Sequence, residues 1–122
     1  MIKALVIDDV RQTADSLCQM LKLLEIDAHP AYGVRAGLMA LNEVIPDIVF
    51  LDLNMPGLSG FEVLAYLRRD PRFENIPVVV VTSDDQPQTR QQARQEGALD
   101  LIVKPATFEA IEAALKAAKL LP

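Results

Sequence analysis

The sequence is poor in cysteine and in long apolar runs. Cys18 is the only cysteine among 122 residues, so no disulfide can form within the chain. A single cysteine is typical of proteins from a reducing compartment, and we expect a cytoplasmic location. No apolar run approaches the roughly 20 residues of a membrane-spanning helix. The opening residues reach two aspartates after a short apolar run, which does not match a signal peptide, so no membrane partner is expected.

Basic residues are also in the minority, with 12 Lys and Arg against 17 Asp and Glu and a formal charge of −5. This balance argues against direct nucleic-acid binding, which favours a basic face. The phosphate-binding patterns GxGxxG and GxxxxGK[ST] are absent, so nothing indicates a nucleotide-binding module. With 51% hydrophobic residues the chain can build a real core. We predict a single domain over residues 1–122.

Four short apolar runs are rich in Val, Ile and Leu and do not alternate with polar residues. They are ALVI at 4–7, DIVFL at 47–51, PVVVV at 77–81 and LIV at 101–103. Such runs are typical of parallel strands that are covered on both faces. A weaker strand fits at 28–32, where Pro30 cannot donate a ladder hydrogen bond and therefore favours the edge of a sheet.

Segments with helical spacing of apolar residues separate these strands. The alternation predicts an α/β fold, a doubly wound, flavodoxin-like (βα)5 sheet of five parallel strands with helices on both faces. The strand order 2-1-3-4-5 places Pro30 at the edge that it requires. The fourth predicted helix, within 86–97, contains Ala93 as its only apolar residue, so packing holds it weakly. This helix is either simply solvated or a mobile partner surface.

Polar residues follow the strands at their carboxyl ends. These residues are Asp8, Asp9, Asp52, Thr82, Ser83 and Lys104, and Pro105 follows the last of them. In the order 2-1-3-4-5, strands 1 and 3 are neighbours about 4.8 Å apart, so the three aspartates should lie together. Two carboxylates about 4 Å apart repel by roughly 4 kcal/mol at an effective dielectric near 20. The cluster therefore predicts a hard divalent cation such as Mg²⁺.

Carboxylate, metal, ammonium and hydroxyl groups together are suited to phosphoryl transfer. Asp52 would be the nucleophile that forms an aspartyl phosphate, with Lys104 and Thr82 holding the other phosphoryl oxygens. Each residue also has a structural alternative: a helix or turn cap for Asp9, Asp52, Thr82 and Ser83, a turn for Asn54, and a surface position for Lys104. We expect Cys18 in the core, His29 in solvent, and a solvated helix end at Arg68, Arg69 and Arg72.

Four motifs resemble the receiver domain of bacterial response regulators, chemotaxis receivers included. They are VIDDV, IVFLDLNMPGLSGFEVL, IPVVVVTSDD and GALDLIVKP, and they cover nearly the whole chain in the right order. The resemblance implies phosphorylation of Asp52 by a histidine kinase or a histidine phosphotransfer protein. Thr82 matches the switch hydroxyl and Lys104 the characteristic lysine, with a cis bond to Pro105.

The resemblance also implies a cofactor, Mg²⁺ or Mn²⁺. Asp9 and Asp52 would bind it by their side chains, Asn54 by its backbone carbonyl, and Asp8 through a water molecule. Members of the family usually carry Tyr or Phe where this chain has Leu101. That aromatic side chain normally turns inward when the switch hydroxyl moves, so Leu101 affects how the signal reaches the surface rather than the phosphorylation chemistry.

The implied function is a signalling switch that catalyses its own phosphorylation and dephosphorylation but is not otherwise an enzyme. A downstream protein would bind the surface of helix 4, strand 5 and helix 5, with Ser83, Leu101 and Pro105 in the switch region. The chain would be a monomer or a phosphorylation-dependent dimer. Leu101 keeps open the alternative of a receiver-like interaction module that is never phosphorylated. An aspartate-dependent phosphohydrolase would need a second Asp where Asn54 stands.

Overall fold

The computed structural model describes residues 1–122, and five strands alternate with five helices along the chain. The strands are β1 (Lys3–Ile7), β2 (Asp27–Ala31), β3 (Ile48–Asp52), β4 (Val78–Thr82) and β5 (Asp100–Val103). The helices are α1 (Arg11–Leu23), α2 (Val34–Glu43), α3 (Gly60–Arg69), α4 (Pro87–Gln95) and α5 (Phe108–Ala117). None of these helices is both long enough and apolar enough to span a bilayer.

The sheet has the predicted order, β2-β1-β3-β4-β5, and every pair of neighbouring strands is parallel. Two strands extend one residue beyond their apolar runs, since Asp52 pairs with Val81 and Thr82 with Val103. The ladder therefore includes the polar residues that end β3 and β4, which fixes their position relative to the neighbouring strands.

Pro30 lies on the edge strand β2, as predicted. The N–H of Asp27 donates to the carbonyl oxygen of Ile2 at 2.8 Å, so Asp27 faces β1. Pro30 comes three residues later, and its nitrogen therefore faces the outer side of the sheet, where no strand needs a donor.

Two apolar clusters fill the two faces of the sheet. Helices α2, α3 and α4 cover one cluster, and α1 and α5 cover the other. Cys18 lies on the buried face of α1, and its burial raises the pKa of the thiol to about 11. Helix α4 buries Ala93 alone, as its composition predicted. The His29 side chain is 70% exposed and lies 2.9 Å from a carboxylate oxygen of Asp27.

The prediction of a solvated helix end is wrong for Arg68. Its guanidinium donates two hydrogen bonds to the carbonyl oxygen of Gly97, at 3.1 and 2.9 Å. It donates three more to the carbonyl oxygens of Phe73, Glu74 and Ile76, at 3.2, 3.1 and 2.8 Å. The turn between α3 and β4 and the turn after α4 aim these carbonyls at one point, and a planar group with five donors satisfies them together.

Candidate functional site

Three carboxylates meet at the carboxyl edge of the sheet. Asp8 follows β1 directly, Asp9 comes next, and Asp52 ends the neighbouring strand β3. Oxygen atoms of the three side chains lie within 4.8 Å of one another. Asp8 and Asp52 are each only 3% exposed, whereas Asp9 faces solvent. The structure thus brings together the three aspartates that the strand order predicted to be neighbours.

Lys104 is the cation of this cluster. Its Nζ lies 3.0 Å from Asp8 Oδ2 and 3.4 Å from Asp52 Oδ1. The residue follows β5, its backbone N–H donates to the carbonyl oxygen of Thr82 at 2.7 Å, and its bond to Pro105 is cis. The surface alternative for Lys104 is therefore wrong, because the side chain points into the acidic cluster.

The electrostatics of the cluster follow from burial and from the distribution of charge. Burial raises the pKa of Asp52, the nearby Asp8 charge raises it further, and Lys104 partly opposes both. Burial lowers the pKa of Lys104, but the hydrogen bond to Asp8 and the attraction of both aspartates outweigh burial and leave this pKa raised. With all three carboxylates ionised, Lys104 alone would leave a net charge of −2 in the cluster.

The donor set fits Mg²⁺, which prefers hard oxygen ligands and retains several waters. Asp9 is exposed and available to a cation. Both oxygens of Asp8 already accept hydrogen bonds, from the N–H of Val10 at 2.9 Å and from Lys104. This arrangement is compatible with Asp8 acting through a water molecule. The alternative that Asp9 caps α1 is wrong, because the N-cap is Val10 and no side chain caps that end.

Thr82 is fully buried at the end of β4. Its Oγ1 accepts hydrogen bonds from Asn54 Nδ2 at 3.3 Å and from the N–H of Asp84 at 3.2 Å. The N–H of Asn54 in turn donates to Asp52 Oδ1 at 3.3 Å, so the segments that follow β3 and β4 are directly connected. The prediction that Thr82 or Ser83 caps the next helix is wrong, because the N-cap of α4 is Gln86.

Sequence reasoning did not identify two residues near the site. Gly60 begins α3 against the end of β3, and a Cβ atom at this position would lie 2.6 Å from the Cα of Leu53. Asp84 accepts hydrogen bonds from the N–H of Gln86 at 2.9 Å and from the hydroxyl of Thr89 at 2.6 Å. An Asp three residues before Pro87 was the available signal for this contact, since Asp favours such turns.

The model of the response regulator receiver domain family matches residues 4–116. The chain belongs to this family. Protein PilH of Pseudomonas aeruginosa is 31% identical over 111 residues, which cover 91% of this chain and 92% of PilH. The phosphate regulon transcriptional regulatory protein PhoB of Escherichia coli is 30% identical over 115 residues, which cover 94% of this chain and 50% of PhoB. The chain therefore spans most of one relative and half of another.

Solved receiver structures share the fold along nearly the whole chain. The Vibrio cholerae chemotaxis protein CheY4 superposes with a TM-score of 0.89 at 25% identity, covering 99% of both chains. The signal receiver domain of a DNA-binding response regulator from Colwellia psychrerythraea gives 0.89 at 30% identity, covering 95% of this chain and 96% of that one. Both confirm the five-stranded parallel fold.

As a receiver domain, the chain is a signalling switch of two-component systems. Domains of this family interact with kinases or phosphotransfer proteins and with downstream partners, and they typically bind Mg²⁺. The alternative of a module that is never phosphorylated is not favoured.

Proposed function

We propose that Asp52 accepts a phosphoryl group from the phosphohistidine of a histidine kinase or a histidine phosphotransfer protein. The observation that carries this proposal is the cluster of Asp52, Asp8, Asp9 and Lys104 at the carboxyl edge of the sheet. Asp52 is only 3% exposed, and the Lys104 ammonium, 3.4 Å from Asp52 Oδ1, supplies positive charge that stabilises an incoming phosphoryl group.

In the proposed reaction, a carboxylate oxygen of Asp52 forms a bond to phosphorus as the bond from phosphorus to the histidine nitrogen breaks. The departing imidazole nitrogen keeps the electron pair of that bond. Lys104 would hold one phosphoryl oxygen, since its Nζ already lies 3.4 Å from Asp52. The hydroxyl of Thr82 would donate to another. Attack of water on the acyl phosphate would release inorganic phosphate, return the carboxylate and complete the cycle.

Asp9 and Asp52 would hold Mg²⁺ or Mn²⁺ by their side chains, Asn54 by its backbone carbonyl, and Asp8 through water. When bound, the ion supplies positive charge between the attacking and phosphoryl oxygens. The negative charge that Lys104 would leave uncompensated with all three carboxylates ionised supports this assignment.

The switch would act on a downstream protein through the surface of α4, β5 and α5. Ser83 and Pro105 are exposed near this surface, whereas Leu101 is only 5% exposed. Leu101 would therefore affect partner binding through the packing beneath the surface rather than by direct contact. We further propose that residues 1–122 act as a single receiver domain in the cytoplasm, as a monomer or a phosphorylation-dependent dimer, without contacting nucleic acid or a membrane.

The direct test is the intact mass of the protein after incubation with Mg²⁺ and acetyl phosphate. We expect one added phosphoryl group on the wild type and none on Asp52→Asn, which keeps the size of the side chain but removes the nucleophile. An adduct of equal yield on both proteins would place the phosphoryl group elsewhere. Transfer from a phosphorylated histidine phosphotransfer protein is the matching test with a protein donor.

The substitution Leu101→Tyr tests whether partner binding can change while the rate of phosphorylation stays the same. Leu101 lies in the apolar core and outside the acidic cluster, so the phosphorylation rate should change less than about twofold. Partner binding should change more, because a ring and a hydroxyl enter the packing beneath α4 and β5. A large change in phosphorylation rate with unchanged partner binding would contradict this division of roles.

A further inference from the structure

Asp84 connects the segment after β4 to the first turn of α4. Its N–H donates to Thr82 Oγ1 at 3.2 Å, while its carboxylate accepts from the N–H of Gln86 at 2.9 Å and from the Thr89 hydroxyl at 2.6 Å. No side chain at the N-cap of α4 supplies such bonds. Thr82, Asp84 and Thr89 therefore form a continuous hydrogen-bonded path from the edge of the site to the helix.

Few other contacts hold the first turn of α4. Ala93, in the second half of the helix, is its only buried residue. Arg90 donates to the carbonyl oxygen of Leu101 at 3.1 Å. Beyond the far end, two hydrogen bonds from Arg68 fix Gly97. Arg90, at the end of the first turn, also lies 3.6 Å from a carboxylate oxygen of Asp100. Arg90 and Ala93 therefore hold the middle of the helix against β5 and the core, and Asp84 restrains the residues before Arg90.

The side chain of Leu101 cannot respond to the Thr82 hydroxyl by hydrogen bonding. This side chain is apolar and packs in the cluster beneath α4. The backbone of Leu101 is paired with Val80 in the sheet. Asp84 offers a hydrogen-bonded route from Thr82 to α4 that does not involve Leu101.

We propose that Asp84 is the positioning residue that passes the state of Asp52 to helix α4. This inference rests on the proposed phosphorylation of Asp52. Oγ1 of Thr82 has both of its acceptor positions filled, by Asn54 and by the N–H of Asp84. When the Thr82 side chain rotates to bring its hydroxyl to a phosphoryl oxygen, Oγ1 moves away from the N–H of Asp84, which then loses its acceptor. The segment of residues 82–84 then shifts. The carboxylate of Asp84 either releases the first turn of α4 or moves that turn together with the segment.

The test compares amide hydrogen exchange in α4 with and without phosphorylation, using excess acetyl phosphate and Mg²⁺. The reporters are the N–H groups of Thr89 and Arg90, which donate to the carbonyl oxygen of Gln86 at 3.1 and 3.3 Å. In the wild type, phosphorylation should change their exchange by about fivefold, as expected for the loss of one ordinary hydrogen bond. Intact mass, measured in the same samples, gives the phosphorylated fraction.

Thr89→Val keeps the shape of the side chain and removes the hydroxyl that donates to Asp84, while Thr89→Ser keeps the hydroxyl. We expect equal phosphorylation of both variants, a response of less than about twofold in Thr89→Val, and a wild-type response in Thr89→Ser. Asp84→Ala should also lose the response. Because these side chains lie at the surface end of the helix, circular dichroism should show native folding for all three variants.

Two results would overturn the inference. One is a phosphorylated wild type whose α4 amides exchange as before. The other is a Thr89→Val protein whose exchange responds to phosphorylation as strongly as that of the wild type. A wild type that acquires no phosphoryl group from either acetyl phosphate or a phosphotransfer protein contradicts the proposed function itself, and the coupling through Asp84 falls with it.

Discussion

Asp52 is a carboxylate at the end of a strand whose five residues are all buried. Burial and the charge of Asp8 raise its pKa, so the folded protein binds this proton more tightly than the unfolded chain does. Stability must then fall as pH rises above the usual aspartate value near 3.8, because the ionised form is less favourable in the folded state. In the absence of a divalent cation, the negative charge of Asp52, which the phosphorylation reaction requires, destabilises the folded state.

We therefore predict that Asp52→Asn is more stable than the wild type at neutral pH in the presence of a chelator. The expected gain is about 1 kcal/mol, or roughly 4 °C in Tm, because repulsion from Asp8 is removed. The difference should disappear near pH 3, where the carboxyl group is protonated in both states. Urea unfolding at both pH values measures it.

Mg²⁺ provides the control for this prediction. It should stabilise the wild type through mass action and stabilise Asp52→Asn much less, because the variant has lost a charged ligand. A wild type that equals or exceeds the variant in stability at neutral pH without metal would show that Lys104 alone neutralises the cluster.

Individual site residues were predictable where the backbone alone sets their position. Asp8, Asp52 and Thr82 end parallel strands, so the strand order was enough to place them at one edge. Asp84 and Arg68 were not predictable in this way, because their partners depend on loop and turn geometry. Arg68, for instance, bonds to Gly97, which lies 29 residues away.

At the level of elements, Arg68 joins the end of α3 to the turn before β4 and to the turn between α4 and β5. Its guanidinium supplies five hydrogen bonds to four backbone carbonyl oxygens. Burial lowers its pKa, because the guanidinium loses part of its hydration. Arg69, the next residue of α3, is exposed.

Arg68→Met should lower the free energy of unfolding by about 2 kcal/mol, because the partly buried carbonyl oxygens of Phe73 and Ile76 lose their donor. Met keeps an unbranched apolar stem and removes the guanidinium, so the loss reports mainly on hydrogen bonding. Arg69→Met is the matched control and should change stability by less than about 0.5 kcal/mol. Equal effects of the two substitutions in urea unfolding would contradict the structural role of Arg68.

The elements themselves follow from the sequence to different extents. The apolar runs of β3 and β4 identified both strands, yet each extends one polar residue further, because ladder hydrogen bonds do not depend on side-chain polarity. Pro30 correctly placed β2 at the edge. Helix α4 was predicted from its position between strands and not from an apolar face, and the single buried Ala93 explains why that pattern was weak.

At the scale of the whole molecule, the parallel topology places the apolar clusters that stabilise the fold and the residues of the acidic site in different regions of the sheet. Two apolar clusters hold the faces of the sheet, while the carboxyl edge collects Asp8, Asp9, Asp52 and Lys104 from three strand ends. The chain matches PilH over most of its length and PhoB over half, so the same unit occurs both nearly alone and within a longer regulator.

The account depends on one central claim, that the three carboxylates need a divalent cation before Asp52 can be phosphorylated. The most direct measurement is the phosphorylated fraction of the wild-type protein, determined by intact mass after incubation with acetyl phosphate over a series of Mg²⁺ concentrations. We predict one phosphoryl group per chain at saturating Mg²⁺ and at least a tenfold slower reaction with the metal chelated. Equal labelling with and without metal would contradict the three-carboxylate site.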